Sequence, residues 1–163
     1  MAKEKIDLLI VDDEEQFLES ISKSLELRDF RVVAVNRGDK AIEAAKRQHF
    51  DVALVDLKMP GISGEETLKA LKEQHRWLEV VVLTGHGAVQ SAVECTRIGA
   101  HSYLQKPCEL ATLVETLQDA YKQKVMNHRR IEAKKMDAML RASDASSPRA
   151  ILKKLREIDD DPT

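Results

Sequence analysis

The chain has 163 residues, a formal net charge of −2, 43% hydrophobic and 33% charged residues, which is the make-up of a folded domain with an appendage rather than of a disordered chain. That charge, with only 4% aromatic residues, argues against a surface built to hold nucleic-acid phosphates or to stack bases, so nucleic acid is not the expected partner. The two cysteines, Cys95 and Cys108, make neither a disulfide framework nor a zinc site, the charged residues 1–7 are unlike a secretory leader, and apolar runs of four residues cannot span a membrane; a cytoplasmic protein without membrane contact is expected.

Taken in chain order, short β-branched runs alternate with helical stripes. A strand is predicted over residues 6–11, then a helix carrying Phe17, Leu18, Ile21 and Leu25 on one face. Residues 31–35 form the next run, and Ala41, Ile42 and Ala45 a weaker stripe. The run at 52–55 leads to a Pro60-Gly61 turn and to a capping box, Ser63 with Glu66, that opens a helix carrying Leu68 and Leu71. A fourth run at 80–83 ends before Thr84, Gly85 and Gly87, the glycines leaving room for approach from above; Val89, Ala92 and Val93 then mark a helix. The last run, 102–104, precedes a stripe of Leu110, Leu113, Val114, Leu117 and Tyr121. Brief, nearly continuous apolar strands suit a parallel sheet buried on both faces, so five of them alternating with helices imply a doubly wound α/β domain over residues 1–124.

Residues 125–163 differ. They carry nine Lys/Arg against seven Asp/Glu, whereas the preceding residues carry 17 against 21: a mildly basic extension on an acidic body. Ile131, Met136, Met139 and Leu140 give an imperfect helical stripe without a sustained heptad. Residues 143–148 read as a linker. Ser147 as N-cap and Pro148 as the first helical residue open a short amphipathic helix with Ile151, Leu152, Leu155 and Ile158 on one side.

In a doubly wound sheet, ligands bind at the carboxyl ends of the strands. The first predicted strand ends in Asp12-Asp13, the third in Asp56, the fourth in Thr84, and Lys106-Pro107 follows the fifth. Singly, each residue has an ordinary reading: Asp13 as a helix cap, Asp56 as a turn residue, Thr84 as a strand end, Lys106 as a solvated loop charge. Jointly they place three carboxylates, a hydroxyl and an ammonium at one rim. Carboxylates held that close raise one another's pKa unless a cation is present, and hard oxygen ligands with open positions favour Mg²⁺. A lysine and a threonine would then hold phosphoryl oxygens, and Asp56 could attack phosphorus in line.

These residues sit in four motifs: Leu8-Leu9-Ile10-Val11-Asp12-Asp13-Glu14, Val55-Asp56-Leu57-Lys58-Met59-Pro60-Gly61, Val82-Leu83-Thr84-Gly85-His86-Gly87 and Tyr103-Leu104-Gln105-Lys106-Pro107. Through them the chain resembles the response-regulator receiver domains of bacterial two-component signalling over residues 5–124, and is most similar to receivers of the nitrogen-regulator class. The resemblance implies a flavodoxin-like sheet of strand order 2-1-3-4-5 with helices on both faces. It implies Asp56 as phosphoacceptor, Mg²⁺ held by Asp13 and Asp56 with Asp12 assisting and the Lys58 backbone carbonyl as a further ligand, and Thr84 and Lys106 on the phosphoryl oxygens. A cis Lys106–Pro107 peptide, a switch of Thr84 and Tyr103 that remodels the face of the fourth helix, fifth strand and fifth helix, and a histidine kinase or phosphotransfer protein as donor belong to the same pattern. Lys58 and His86 stand where side chains flank the phosphoryl group in this family.

The expected function is a single-domain response regulator, not an enzyme turning over a metabolite, whose output is a changed surface read by a downstream protein or a second copy. The alternative is the receiver part of a transcriptional regulator whose output is DNA binding or a further C-terminal domain. A phosphatase on the same architecture would want a second acid two residues after Asp56, where Lys58 stands.

Overall fold

The computed structural model describes residues 4–85, 89–142 and 148–160. The order is β1 (Ile6–Val11), α1 (Glu15–Glu26), β2 (Phe30–Val35), α2 (Gly38–Arg47), β3 (Val52–Val55), α3 (Gly64–Gln74), β4 (Glu79–Thr84), α4 (Val89–Ile98), β5 (Ser102–Gln105), α5 (Leu110–Ala142) and α6 (Pro148–Asp159). All strands are parallel, in the order β2-β1-β3-β4-β5 expected from the resemblance.

The sheet separates two apolar cores. Alternate residues of the central strands point to opposite faces: Leu9, Val11, Ala53, Val55, Val80 and Val82 meet Ala41, Ala45, Leu68, Leu71 and Cys95 from α2, α3 and α4. Leu8, Ile10, Val52, Leu54, Val81 and Leu83 meet Leu18 and Leu25 of α1 and Leu113 and Leu117 of α5. Every residue of β3 and β4 is buried, which explains why those runs read as continuous rather than alternating.

Two expected stripes need correcting. On α4 the inward residue is Cys95, a small hydrophobe in this setting, while Val93 is 51% exposed; the Val89 side chain lies outside the described residues. Burial pushes the Cys95 thiol up to about 11, so it is chemically quiet. On α6, Ile151, Leu155 and Ile158 are half-buried, whereas Leu152, expected beside them, is 55% exposed. Ile131 is the buried member of the α5 extension stripe; Met136, Met139 and Leu140 are exposed.

The chain divides into two compact units, residues 1–124 and 125–163, although α5 runs unbroken through the boundary. Its second half is rich in Lys, Arg, Glu, Met and Ala, residues that favour a helix without needing a core behind them. Within the second unit Lys135 pairs with Asp159 at 2.5 Å, joining α5 and α6. Pro148 is the first residue of α6, as expected; the Ser147 cap and residues 143–147 lie outside the described residues.

Candidate functional site

Strand register builds the site. Val11 is directly opposite Val55, so the next residues, Asp12 and Asp56, emerge side by side at the carboxyl edge, with the Asp56 amide donating to the Val11 carbonyl at 2.9 Å. Thr84 closes β4 opposite Gln105, and the Lys106 amide donates to the Thr84 carbonyl at 2.8 Å. The Lys106–Pro107 peptide is cis, as the resemblance implied. Five of the expected residues therefore arrive at one rim from four strands.

Carboxylate oxygens of Asp12, Asp13 and Asp56 lie within 4.8 Å of one another; Asp12 and Asp56 are buried and Asp13 is exposed. Asp12 is the most engaged of the three. Its Oδ1 accepts from the Glu14 amide at 2.9 Å, at the start of α1, and its Oδ2 accepts from Lys106 Nζ at 2.5 Å. Glu14 is the N-cap of α1 and no side chain caps the helix, so Asp13 does not act as the cap its ordinary reading allowed and is left exposed at the rim. Lys106 Nζ is also 3.8 Å from Asp56 Oδ2 and 4.0 Å from Glu14 Oε2, with its side chain only 14% exposed.

Burial pushes the Asp56 carboxyl above its ordinary pKa, and the neighbouring Asp12 charge adds to this; Lys106, the Lys58 amide 3.3 Å from Asp56 Oδ1, and the Thr84 hydroxyl oppose the shift without cancelling it. The expected mutual repulsion is therefore felt at Asp56. A divalent cation is what this donor set fits: hard oxygens only, crowded, one of them exposed and two buried with a single ammonium between them.

Among the described residues the buried Tyr103 hydroxyl has no hydrogen-bond partner, and the buried Thr84 hydroxyl makes no full hydrogen bond but faces Asp56 closely enough to help hold its carboxyl down. An unpartnered buried hydroxyl is costly, so Tyr103 keeps an unspent donor, while the Thr84 donor stands ready for a closer oxygen. Burial pushes the Tyr103 phenol above its usual pKa, and the residue packs against the core that includes Cys95. The Lys58 side chain is exposed beside the site. His86 and Gly87 lie outside the described residues. A Cβ at Gly85 would meet nothing within 4 Å among the described residues, so none of them demands glycine there.

Two residues escaped the sequence reading. A Cβ on Gly64 would come 2.2 Å from the Asp56 carbonyl oxygen and 2.4 Å from Leu57 Cα, so the loop carrying Asp56 can lie against the start of α3 only because residue 64 has no side chain. Ser63 Oγ accepts from the Glu66 amide there at 3.1 Å, as the capping box predicts. Phe17, read as one of an apolar stripe, places its ring centroid 4.2 Å from Lys106 Nζ.

Comparison with known proteins agrees with this geometry. Residues 8–118 match the family model of the response regulator receiver domain. The transcriptional regulatory protein ZraR of Klebsiella oxytoca is 34% identical over 120 residues, which is 74% of this chain and 27% of ZraR. The chain therefore spans about a quarter of that relative's length. Among solved structures, a receiver domain protein from Clostridium thermocellum is similar at a TM-score of 0.71 and 28% identity, covering 74% of this chain and 98% of the other. The chemotaxis protein CheY4 of Vibrio cholerae is similar at 0.68 and 29% identity, covering 71% and 98%. With this fold, this rim of acids, Thr84 and Lys106, and a family match over most of its length, the chain belongs to the response-regulator receiver family.

Proposed function

We propose that Asp56 accepts a phosphoryl group from a phosphohistidine on a kinase or phosphotransfer protein, and that the modified domain signals through its surface. The observation that carries this is the gathering of Asp12, Asp13 and Asp56 oxygens within 4.8 Å, with the Lys106 ammonium 3.8 Å from Asp56. In the transfer an Asp56 oxygen forms a bond to phosphorus as the P–N bond breaks. The electron pair leaves on the imidazole nitrogen of a phosphohistidine protonated on its other ring nitrogen, giving a neutral imidazole ring and an acyl phosphate.

Asp13 and Asp56 would hold Mg²⁺, with Asp12 assisting and the Lys58 carbonyl as a further ligand. Bound there, the ion neutralises the carboxylate repulsion and the charge on the phosphoryl oxygens. Lys106 keeps a second cation beside the same oxygens, and Thr84 offers its hydroxyl. On this reading the chemistry is self-phosphorylation and hydrolysis of the acyl phosphate rather than turnover of a metabolite. Modification turns a carboxylate of charge −1 into an acyl phosphate of nearly −2 beside the Thr84 hydroxyl, which biases Thr84 and, through it, Tyr103 and the face of α4, β5 and α5. A downstream protein, or a second copy, reads that face. No helix among the described residues is long and apolar enough to cross a membrane, and a cytoplasmic site of action fits the reading.

The names of relatives favour a second reading, in which this stretch is the receiver part of a transcriptional regulator and the output is DNA binding. Intact-mass measurement tests the shared step. Incubated with a small phosphodonor and Mg²⁺, the wild type is expected to gain one phosphoryl group and the Asp56→Asn variant none; equal labelling of both would overturn the proposal.

A further inference from the structure

Lys106 is held by more than carboxylates. Its ammonium lies 4.2 Å from the centroid of the Phe17 ring, well inside the range of a cation–π contact. The ring is itself fixed, because Phe17 is half-buried and packs against the core formed by β1, β3, β4, α1 and α5. On its other sides the ammonium meets Asp12 Oδ2 at 2.5 Å, Asp56 Oδ2 at 3.8 Å and Glu14 Oε2 at 4.0 Å. Asp12 and Glu14 both compete with the phosphoacceptor for the same charge, and Glu14 is largely exposed.

We propose that Phe17 is a positioning residue for phosphoryl transfer, its ring face holding the Lys106 ammonium over the Asp56 side of the pocket. A lysine side chain is a flexible four-carbon stem ending in a strongly hydrated point charge, and it spends rotamer freedom whenever it is aimed. A flat aromatic face occupies one side of that charge without consuming any of its three donors. It excludes water there and leaves donors for the oxygens that arrive with the phosphoryl group. A carboxylate at the same place would take a donor and add to the repulsion around Asp56; an aliphatic side chain would exclude water but offer the cation nothing. The inference rests on the proposed role of Asp56, and it concerns a residue that touches neither the metal-binding oxygens nor phosphorus.

The test varies the ring alone. Phe17→Leu is expected to slow labelling by a small phosphodonor and Mg²⁺ about tenfold, equivalent to ~1.4 kcal/mol, while Phe17→Tyr keeps the wild-type rate. Site-specific replacement of Phe17 by pentafluorophenylalanine, which preserves shape and reverses the ring quadrupole, should slow labelling like the leucine variant. Mg²⁺ affinity should stay within about twofold in all three, a constancy that a general folding fault would not leave. In the unphosphorylated wild type the Lys106 methylene resonances should lie upfield of those of exposed lysines through the ring current, and return to the ordinary position in Phe17→Leu. Wild-type rates in the leucine variant, or in the fluorinated protein, would overturn the role of Phe17. Absence of any label on the wild type, with the ring-current shift present, would instead overturn the reading of Asp56.

Discussion

Lys106→Met is expected to slow labelling of the protein by ~10²–10³-fold, the usual loss when a preorganised charge facing the developing transition state is removed. Methionine keeps an unbranched stem of similar length, so the packing beside Phe17 is largely retained and only the ammonium is lost. The direction of a second effect separates this from a general fault. Lys106 partly neutralises Asp12 and Asp56, at 2.5 and 3.8 Å, and its charge opposes that of any divalent ion placed among them. Removing it should make Mg²⁺ bind more tightly while phosphoryl transfer becomes slower. Calorimetric titration with Mg²⁺, beside the labelling time course, checks both; weaker metal binding together with slower labelling would mean that the pocket had collapsed.

The largest expected change in stability lies at the opposite ends of the strands. Asp51, just before β3, accepts from the Asp7 amide at 2.9 Å and pairs with Lys124 on α5, while His49 Nε2 is 3.4 Å away. The two paired side chains are 13% and 12% exposed. Burial alone would raise the Asp51 pKa, but Lys124, the Asp7 amide and His49 outweigh it and hold the carboxyl below its ordinary value. Replacing one partner leaves the other charge nearly buried and alone, so Lys124→Met should cost about 3 kcal/mol in urea unfolding of the domain. Asp51→Asn is expected to cost a comparable amount near neutral pH. Because the folded-state pKa is depressed, the stabilisation is fully present above the unfolded-state value and disappears as pH falls through the folded-state value. The gap between wild type and Asp51→Asn should therefore be fully open above the ordinary carboxylate range and close as pH falls below it.

The two regions differ in how far the sequence disclosed them. Asp12, Asp13, Asp56, Thr84 and Lys106 were legible because each follows an apolar run, and parallel strands put such positions at one edge whatever the loops do. The Asp51–Lys124 pair was not, since the partners are 73 positions apart and each looks like an ordinary surface charge beside a strand or on a helix. Phe17 was visible as apolar but not as a partner of Lys106: helical periodicity tells which face a residue occupies, not what comes to lie against it. Gly64 was hidden inside a capping box that explained its neighbours without requiring a missing side chain. The extension past residue 124 was legible as charged and helical, but not as an unbroken continuation of α5, because a fading apolar stripe marks the end of a core and not the end of a helix.

The most direct test is the dependence of the labelling rate on Mg²⁺ concentration in wild type and in Asp13→Asn, with the label located by peptide mapping. Saturable, chelator-sensitive labelling of Asp56 is expected in the wild type. In the variant the Mg²⁺ concentration at half-saturation should rise by at least about tenfold, because one oxygen ligand has been replaced by a neutral amide. Labelling that ignores Mg²⁺, or that falls on a residue other than Asp56, would contradict the assignment of this rim as a metal-assisted phosphoryl-acceptor site.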